Sequence, residues 1–156
     1  MQRKSKKINL NLDGSRSKIG IVVSDFNQDI TSKLLEGALT TLFEYKVKAQ
    51  NVTVVHVPGT FEIPLACQKL AQTKKFNGLV ALGCVLKGET NHNVYISNAA
   101  ANGIMETMLD YNLPIGFGIL TPDNLRQARE RSTKESNKGA EAALATLLMI
   151  QTLTES

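Results

Sequence analysis

Four short apolar runs, each followed by a stretch of helical periodicity, leave this chain few folds to choose from. In residues 18–24, Ile19, Ile21, Val22 and Val23 make the near-continuous apolar run of a strand buried on both faces. Over 29–45, Ile30, Leu34, Leu35, Ala38, Leu39 and Leu42 recur at helical spacing. The grammar repeats in a valine-rich strand at 51–57 and a helix at 61–73, where Pro64 is tolerated only in the first turn. It repeats again in a third strand at 78–86, a longer helix at 91–111 and a fourth strand at 114–120. Thr121, Pro122 and Asp123 offer a hydroxyl cap, a first-position proline and a first-turn acid for a short helix ending near Arg131. A polar loop at 132–137 then leads to a last helix at 140–153, built of good helix formers.

Alternation of this kind predicts a parallel sheet with right-handed crossovers and helices on both faces. The fold class expected is α/β, a flavodoxin-like three-layer sandwich around a four-stranded parallel sheet. Residues 7–12 alternate (Ile8, Leu10, Leu12) and can add an extra strand, to this sheet or to a neighbour's edge. The chain thus divides into a basic N-terminal tail with that strand, residues 1–17, and a single α/β domain, residues 18–156. At 156 residues the chain is long enough to bury a real core.

Composition excludes more than it identifies. No apolar run is long enough to span a membrane, and the basic start (Arg3, Lys4, Lys6, Lys7) is not followed by a signal-peptide core, so a cytoplasmic protein is expected. The net charge of +4 owes much to that start. The few aromatic residues are not interleaved with basic ones, which argues against a nucleic-acid stacking platform. Cys67 and Cys84 lie in apolar segments without metal-ligand spacing and read as reduced core thiols. Met105, Met108 and Met149 fall at helical core positions and read as packing.

In an open α/β sheet, ligands bind outside the carboxyl ends of the strands. The segments expected there are 24–27, 58–62, 87–92 and 120–121. They bring an aromatic ring (Phe26), a carboxylate (Glu62), a glycine-flexed loop with Lys87 and Thr90, and an imidazole, His92. Imidazole is the side chain that titrates nearest neutral pH, and this chain has only two. Each residue also has a plainer reading. Phe26 can cap the core, Glu62 can offset a helix dipole, and His92 can be a satisfied helix-start residue. His56, inside a strand, reads as structural. Arg131 and Lys138, flanking the last polar loop, are taken singly as surface charge. Neither a phosphate-binding Walker sequence nor GxGxxG follows the first strand, so a nucleoside triphosphate or dinucleotide is a poor fit.

Taken together, several of these segments carry a resemblance. Phe26-Asn27, Pro-Gly-Thr-Phe-Glu-Ile-Pro at 58–64, Gly88-Glu89-Thr90-x-His92, Phe117-Gly118, and Glu130-Arg131 with Asn137-Lys138-Gly139 resemble the 6,7-dimethyl-8-ribityllumazine synthase family, in order and over residues 18–153. The resemblance implies a transferase of riboflavin biosynthesis. It would condense 5-amino-6-(D-ribitylamino)uracil with 3,4-dihydroxy-2-butanone 4-phosphate, releasing phosphate and water, with no metal or organic cofactor. It implies that Phe26 stacks on the pyrimidine and that Thr60, Phe61 and Glu62 bind ring and ribityl chain. Cys84, Val85 and Leu86 would line the pyrimidine pocket through their backbone. Glu89, Thr90 and Arg131 would hold phosphate, His92 would move protons, and Lys138 would assist in substrate binding. Phe117 and Arg131 would be contributed across a subunit interface. The partners implied are the small-molecule substrates, further copies of the chain in a pentamer or 60-subunit shell, and riboflavin synthase.

The chain departs from the family pattern in three places. Lys87 stands where arginine is usual, Asn93-Val94 replaces an aromatic followed by an acid, and the 132–136 loop is one residue short of the common form. The lost acid removes a natural partner for His92. The alternative it motivates is a non-catalytic lumazine- or flavin-binding, or shell-forming, homologue.

Overall fold

The computed structural model describes residues 11–155. Its elements run β1 (Ile19–Ser24), α1 (Gln28–Glu44), β2 (Val52–Val57), α2 (Ile63–Gln72), β3 (Gly78–Cys84), α3 (His92–Tyr111), β4 (Ile115–Leu120), α4 (Leu125–Glu130) and α5 (Lys138–Glu155). Short 3₁₀ turns at Ala49–Asn51 and Thr60–Glu62 lead into β2 and α2. The strands form one parallel sheet in the order β2-β1-β3-β4. Ile19 of β1 is registered against Val52 on one side and Gly78 on the other, and Leu79 of β3 against Ile115. The chain leaves β1 for β2 and then returns past β1 to β3. The carboxyl ends of β1 and β3 therefore diverge into different crossovers, which opens a crevice there.

Alternation along the central strands sorts the core into two layers. Ile19, Ile21 and Val23 with Val80, Leu82 and Cys84 pack under α1 and α5, where Ile30, Leu34, Leu42, Ala143 and Leu147 are buried. Val22, Leu79, Ala81 and Val85 pack under α2 and α3 with Ile63, Cys67, Ala100 and Ile104. A Cβ at Gly139 would run into the Leu34 carbonyl, so α5 owes its close approach to α1 to that glycine. This is the three-layer α/β sandwich the alternation predicts.

Details differ from the sequence reading, each for a local reason. The helix expected to start at Thr121 begins at Leu125. Asn124 is extended and its carboxamide accepts the Gln127 N–H at 2.9 Å, while the Pro122 carbonyl accepts the Lys87 N–H at 3.2 Å. Residues 121–123 thus tether two loops instead of opening the helix. Val52, Val54 and Val55 are only half-buried because β2 is an edge strand. Met105 and Met149 are 53% and 42% exposed, against the expectation of packing, because they lie on the outer faces of α3 and α5. Met108 is half-buried.

Cys67 and Cys84 are buried free thiols, as expected. Most of the expected extra strand at 7–12, and the basic residues Arg3 to Lys7, lie outside the described residues. Leu12 packs into the α1–α5 layer, and the Gly14 N–H donates to the Tyr45 carbonyl at 2.7 Å. No helix among the described residues is long and apolar enough to cross a membrane.

Candidate active site

The turn after β1 is fixed from three sides. The Asp25 and Phe26 N–H groups donate to the Val57 and Pro58 carbonyls at 2.8 and 3.0 Å. Asn27 then adopts φ 61°, ψ 47°, the left-handed region that asparagine tolerates better than most residues. Its Nδ2 donates to the Cys84 carbonyl at 2.9 Å, tying the β1 exit to the β3 exit. This geometry holds Phe26 clear of the core. The ring is 70% exposed, so Phe26 does not cap the core.

Phe26 forms one wall of a cavity of about 630 Å³ above the carboxyl ends of β1, β2 and β3. Gly59, Thr60, Phe61 and Glu62 supply a second wall, and Cys84, Val85 and Leu86 a third. Gly88, Thr90, His92, Asn93, Tyr95 and Ile96 close the side formed by the β3–α3 loop and the start of α3. Apolar and aromatic walls with a few convergent polar groups are the usual character of a small-molecule site. Of the expected residues, Phe26, Thr60, Phe61, Glu62, Cys84, Val85, Leu86, Thr90 and His92 are brought together here.

The backbone edge at 84–86 is partly committed already. The Cys84 carbonyl accepts from Asn27, and the Val85 N–H donates to the Leu120 carbonyl at 2.8 Å. Among the described residues the Val85 carbonyl and Leu86 N–H have no backbone partner, and both residues line the cavity. The Cys84 side chain turns into the α1–α5 layer; burial, then the nearby Asp29 charge, push its thiol up to about 11. Burial pushes Cys67 up to about 12. Neither thiol is a nucleophile at neutral pH.

His92 is the first residue of α3, exposed, with its N–H directed to Thr90 Oγ1 at 3.3 Å. Among the described residues no carboxylate forms an ion pair with it. The other histidine is engaged elsewhere: His56 Nδ1 lies 2.8 Å from Asp25 Oδ1 on the exposed sheet edge, outside the cavity walls.

Four expected residues are not in the cavity walls. Glu89 is exposed within the β3–α3 loop, and Phe117 is exposed on β4. Arg131 and Lys138 lie in a separate depression of about 350 Å³ above the end of β4, with Ile119, Leu120, Thr121, Ser136 and Glu141. Lys138 Nζ is paired there with Glu141 Oε2 at 3.1 Å. The Lys138 N–H donates to the Arg131 carbonyl at 2.9 Å, so the 132–137 loop closes back on itself.

Sequence reasoning missed Asn27, Tyr95 and Asn137 as builders of this region. Asn137 Nδ2 donates to the Lys33 carbonyl at 2.9 Å while its Oδ1 accepts the Ala140 N–H at 3.0 Å. It caps α5 and fastens the loop to α1 at once. An asparagine directly before a run of good helix formers was the available signal for such a cap. The family model described as 6,7-dimethyl-8-ribityllumazine synthase matches residues 16–154 of the chain.

Proposed function

Because the chain belongs to the 6,7-dimethyl-8-ribityllumazine synthase family, a transferase family of riboflavin biosynthesis, we propose that it condenses 5-amino-6-(D-ribitylamino)uracil with 3,4-dihydroxy-2-butanone 4-phosphate in the cavity at the β1/β3 crevice. The observation that carries this reading is the convergence of Phe26, Glu62, Thr90 and His92 on that one cavity. The domain responsible is residues 18–156, preceded by the basic stretch 1–17.

The pyrimidine stacks on Phe26, and its polar edge pairs with the Val85 carbonyl and Leu86 N–H. Thr60, Phe61 and Glu62 hold the ribityl chain, the Glu62 carboxylate accepting from its hydroxyls. The phosphate of the second substrate lies at the start of α3, where helix N–H groups, the Glu89 backbone and the Thr90 hydroxyl take up anionic oxygens. The pyrimidine amine attacks the ketone carbonyl, and loss of water gives an imine. Removal of a carbon-bound proton expels phosphate, and after tautomerisation the second amine closes the ring with loss of a second water. His92 sits where it can accept and return those protons. Holding two reactants in register supplies much of the rate.

Arg131 and Phe117 stand apart from the cavity within one chain, which favours their delivery to a neighbouring copy's site. The outer surface of α2 and α3 supports such an assembly: Leu65, Tyr95, Met105 and Leu109 are exposed there. A pentamer, or a shell of such pentamers, is the arrangement this reading favours, with Lys138 supporting the loop that presents Arg131. Riboflavin synthase is the protein partner proposed, and the cytoplasm the compartment.

The test is absorbance-monitored lumazine formation from the two substrates, run beside a blank without protein. A rate well above the blank supports the synthase. A rate equal to the blank, from folded and assembled protein, favours instead a non-catalytic binding homologue, the reading that Asn93-Val94 motivates.

A further inference from the structure

One buried polar atom near the cavity has nothing to bond. Ser24 ends β1, is fully buried, and its Oγ has no hydrogen-bond partner among the described residues. A hydroxyl left unpaired inside a protein destabilises the fold, so a group in this state invites a functional explanation. Ser24 lies on the α2–α3 side of the sheet, the same side as Val22. The next strand carries Gly83 at this level. A Cβ there would lie 2.6 Å from Thr60 Oγ1 and 3.4 Å from Ser24 Oγ. The two hydroxyls therefore converge on one point of β3, and the missing side chain of Gly83 leaves them room. Thr60 is itself 5% exposed and forms part of the cavity wall. No hydrogen bond joins its hydroxyl to Ser24.

We infer that Ser24 is a positioning residue for the Thr60 hydroxyl, engaged when the cavity is filled. This rests on the proposed function and deepens it, because that reading gives the Thr60 hydroxyl no role of its own. With ligand present, a small shift of the Thr60 side chain brings Oγ1 within reach of the Ser24 hydroxyl, which donates to it. The Thr60 proton is then directed away from Ser24, into the cavity, toward an acceptor atom of the pyrimidine or its ribityl chain. Two hydroxyls in series polarise one another, so the bond to ligand is stronger than Thr60 would make alone. The cost of the unpaired Ser24 hydroxyl is carried by the empty protein and relieved on binding, which raises the differential affinity of the site.

The signature is a stability gain coupled to a binding loss, which a merely structural serine would not produce. Ser24→Ala is expected to raise the melting temperature of the ligand-free protein by about 2–4 °C, since it deletes an unsatisfied buried group. The same variant is expected to weaken binding of 5-amino-6-(D-ribitylamino)uracil, titrated calorimetrically without the second substrate, by about three- to tenfold, the worth of one net hydrogen bond. Thr60→Ala should weaken binding at least as much, Thr60→Ser should restore it, and the double variant should bind no worse than Thr60→Ala alone. Unchanged affinity in Ser24→Ala, or losses that simply add in the double variant, would overturn the inference while leaving the synthase reading intact. Wild-type protein that binds no ribitylaminouracil sinks that reading, and the inference with it.

Discussion

Asn27 is the residue through which the fold and the site are most directly joined, and replacing it separates two costs that the structure predicts. Its side chain donates to the Cys84 carbonyl at 2.9 Å, and its backbone sits at φ 61°. Asn27→Gly removes the hydrogen bond but accepts the left-handed backbone without strain, so it should cost about 1 kcal/mol. Asn27→Ala removes the same bond and also adds the left-handed cost of a residue with a Cβ, about 1–2 kcal/mol more. For a chain of this size the two variants should melt about 2–4 °C and about 4–12 °C below wild type, respectively. Thermal unfolding followed by circular dichroism, at one protein concentration, reads both. Phe26 immediately precedes this turn, so the alanine variant should also raise KM for the pyrimidine substrate more than it lowers kcat. Equal melting temperatures for the two variants would refute the backbone half of the reasoning. A glycine variant as stable as wild type would refute the hydrogen-bond half.

His92→Ala should lower kcat by about 10²- to 10⁴-fold, the usual worth of a positioned acid–base group, while assembly measured by light scattering stays as in wild type; unaltered turnover removes the imidazole from the mechanism. Arg131→Ala should raise KM for the phosphate-bearing substrate while that for the pyrimidine holds, and the reverse pattern would displace Arg131 from the phosphate site. The two thiols should resist alkylation at pH 8 in native protein and react at once in denaturant, because burial holds both protonated. Each thiol binds its proton more tightly folded than unfolded. Stability should therefore be fully present below pH 9 and fall as pH rises toward about 11 and beyond, the range between the ordinary thiol value and the folded ones. Rapid native labelling of Cys67 would contradict its burial.

The layers were legible because each signal is local and periodic. Near-continuous apolar runs mark β1 and β3, the two strands with neighbours on both sides, and helical spacing marks α1. The same logic gave no warning that β2 is an edge, since strand order depends on crossovers that periodicity does not encode. Thr121-Pro122-Asp123 misled for a related reason. The tripeptide has the right chemistry to open a helix, but the Pro122 carbonyl is engaged by Lys87, a residue remote in sequence. Met105 and Met149 follow helical spacing yet face outward, because an apolar residue on a helix meets the core only if its face does. The cavity residues were legible as strand-end residues, whereas Asn27 and Asn137 act through carbonyls that only the folded chain brings near.

That division explains the shape of the proposed site. In the proposed reading the pyrimidine meets the ends of three adjacent strands of one chain, with Phe117 added by a neighbour. The cation proposed for phosphate, Arg131, sits above β4, beyond β3 in the sheet, and lines a different depression from Thr90. A dianion held only by helix N–H groups and one hydroxyl lacks a full counter-charge, and Lys87 at the loop is a point charge without the guanidinium fork. A site with most of its walls for one substrate but short of a cation for the other is what a shared interface predicts: the pyrimidine should still bind the isolated subunit, less tightly without Phe117, and the phosphate substrate should need a neighbour. Dilution into the monomer range should then weaken phosphate-substrate binding well before pyrimidine binding; parallel losses would make both substrates equally dependent on the interface, and loss of neither would place the whole site within one chain.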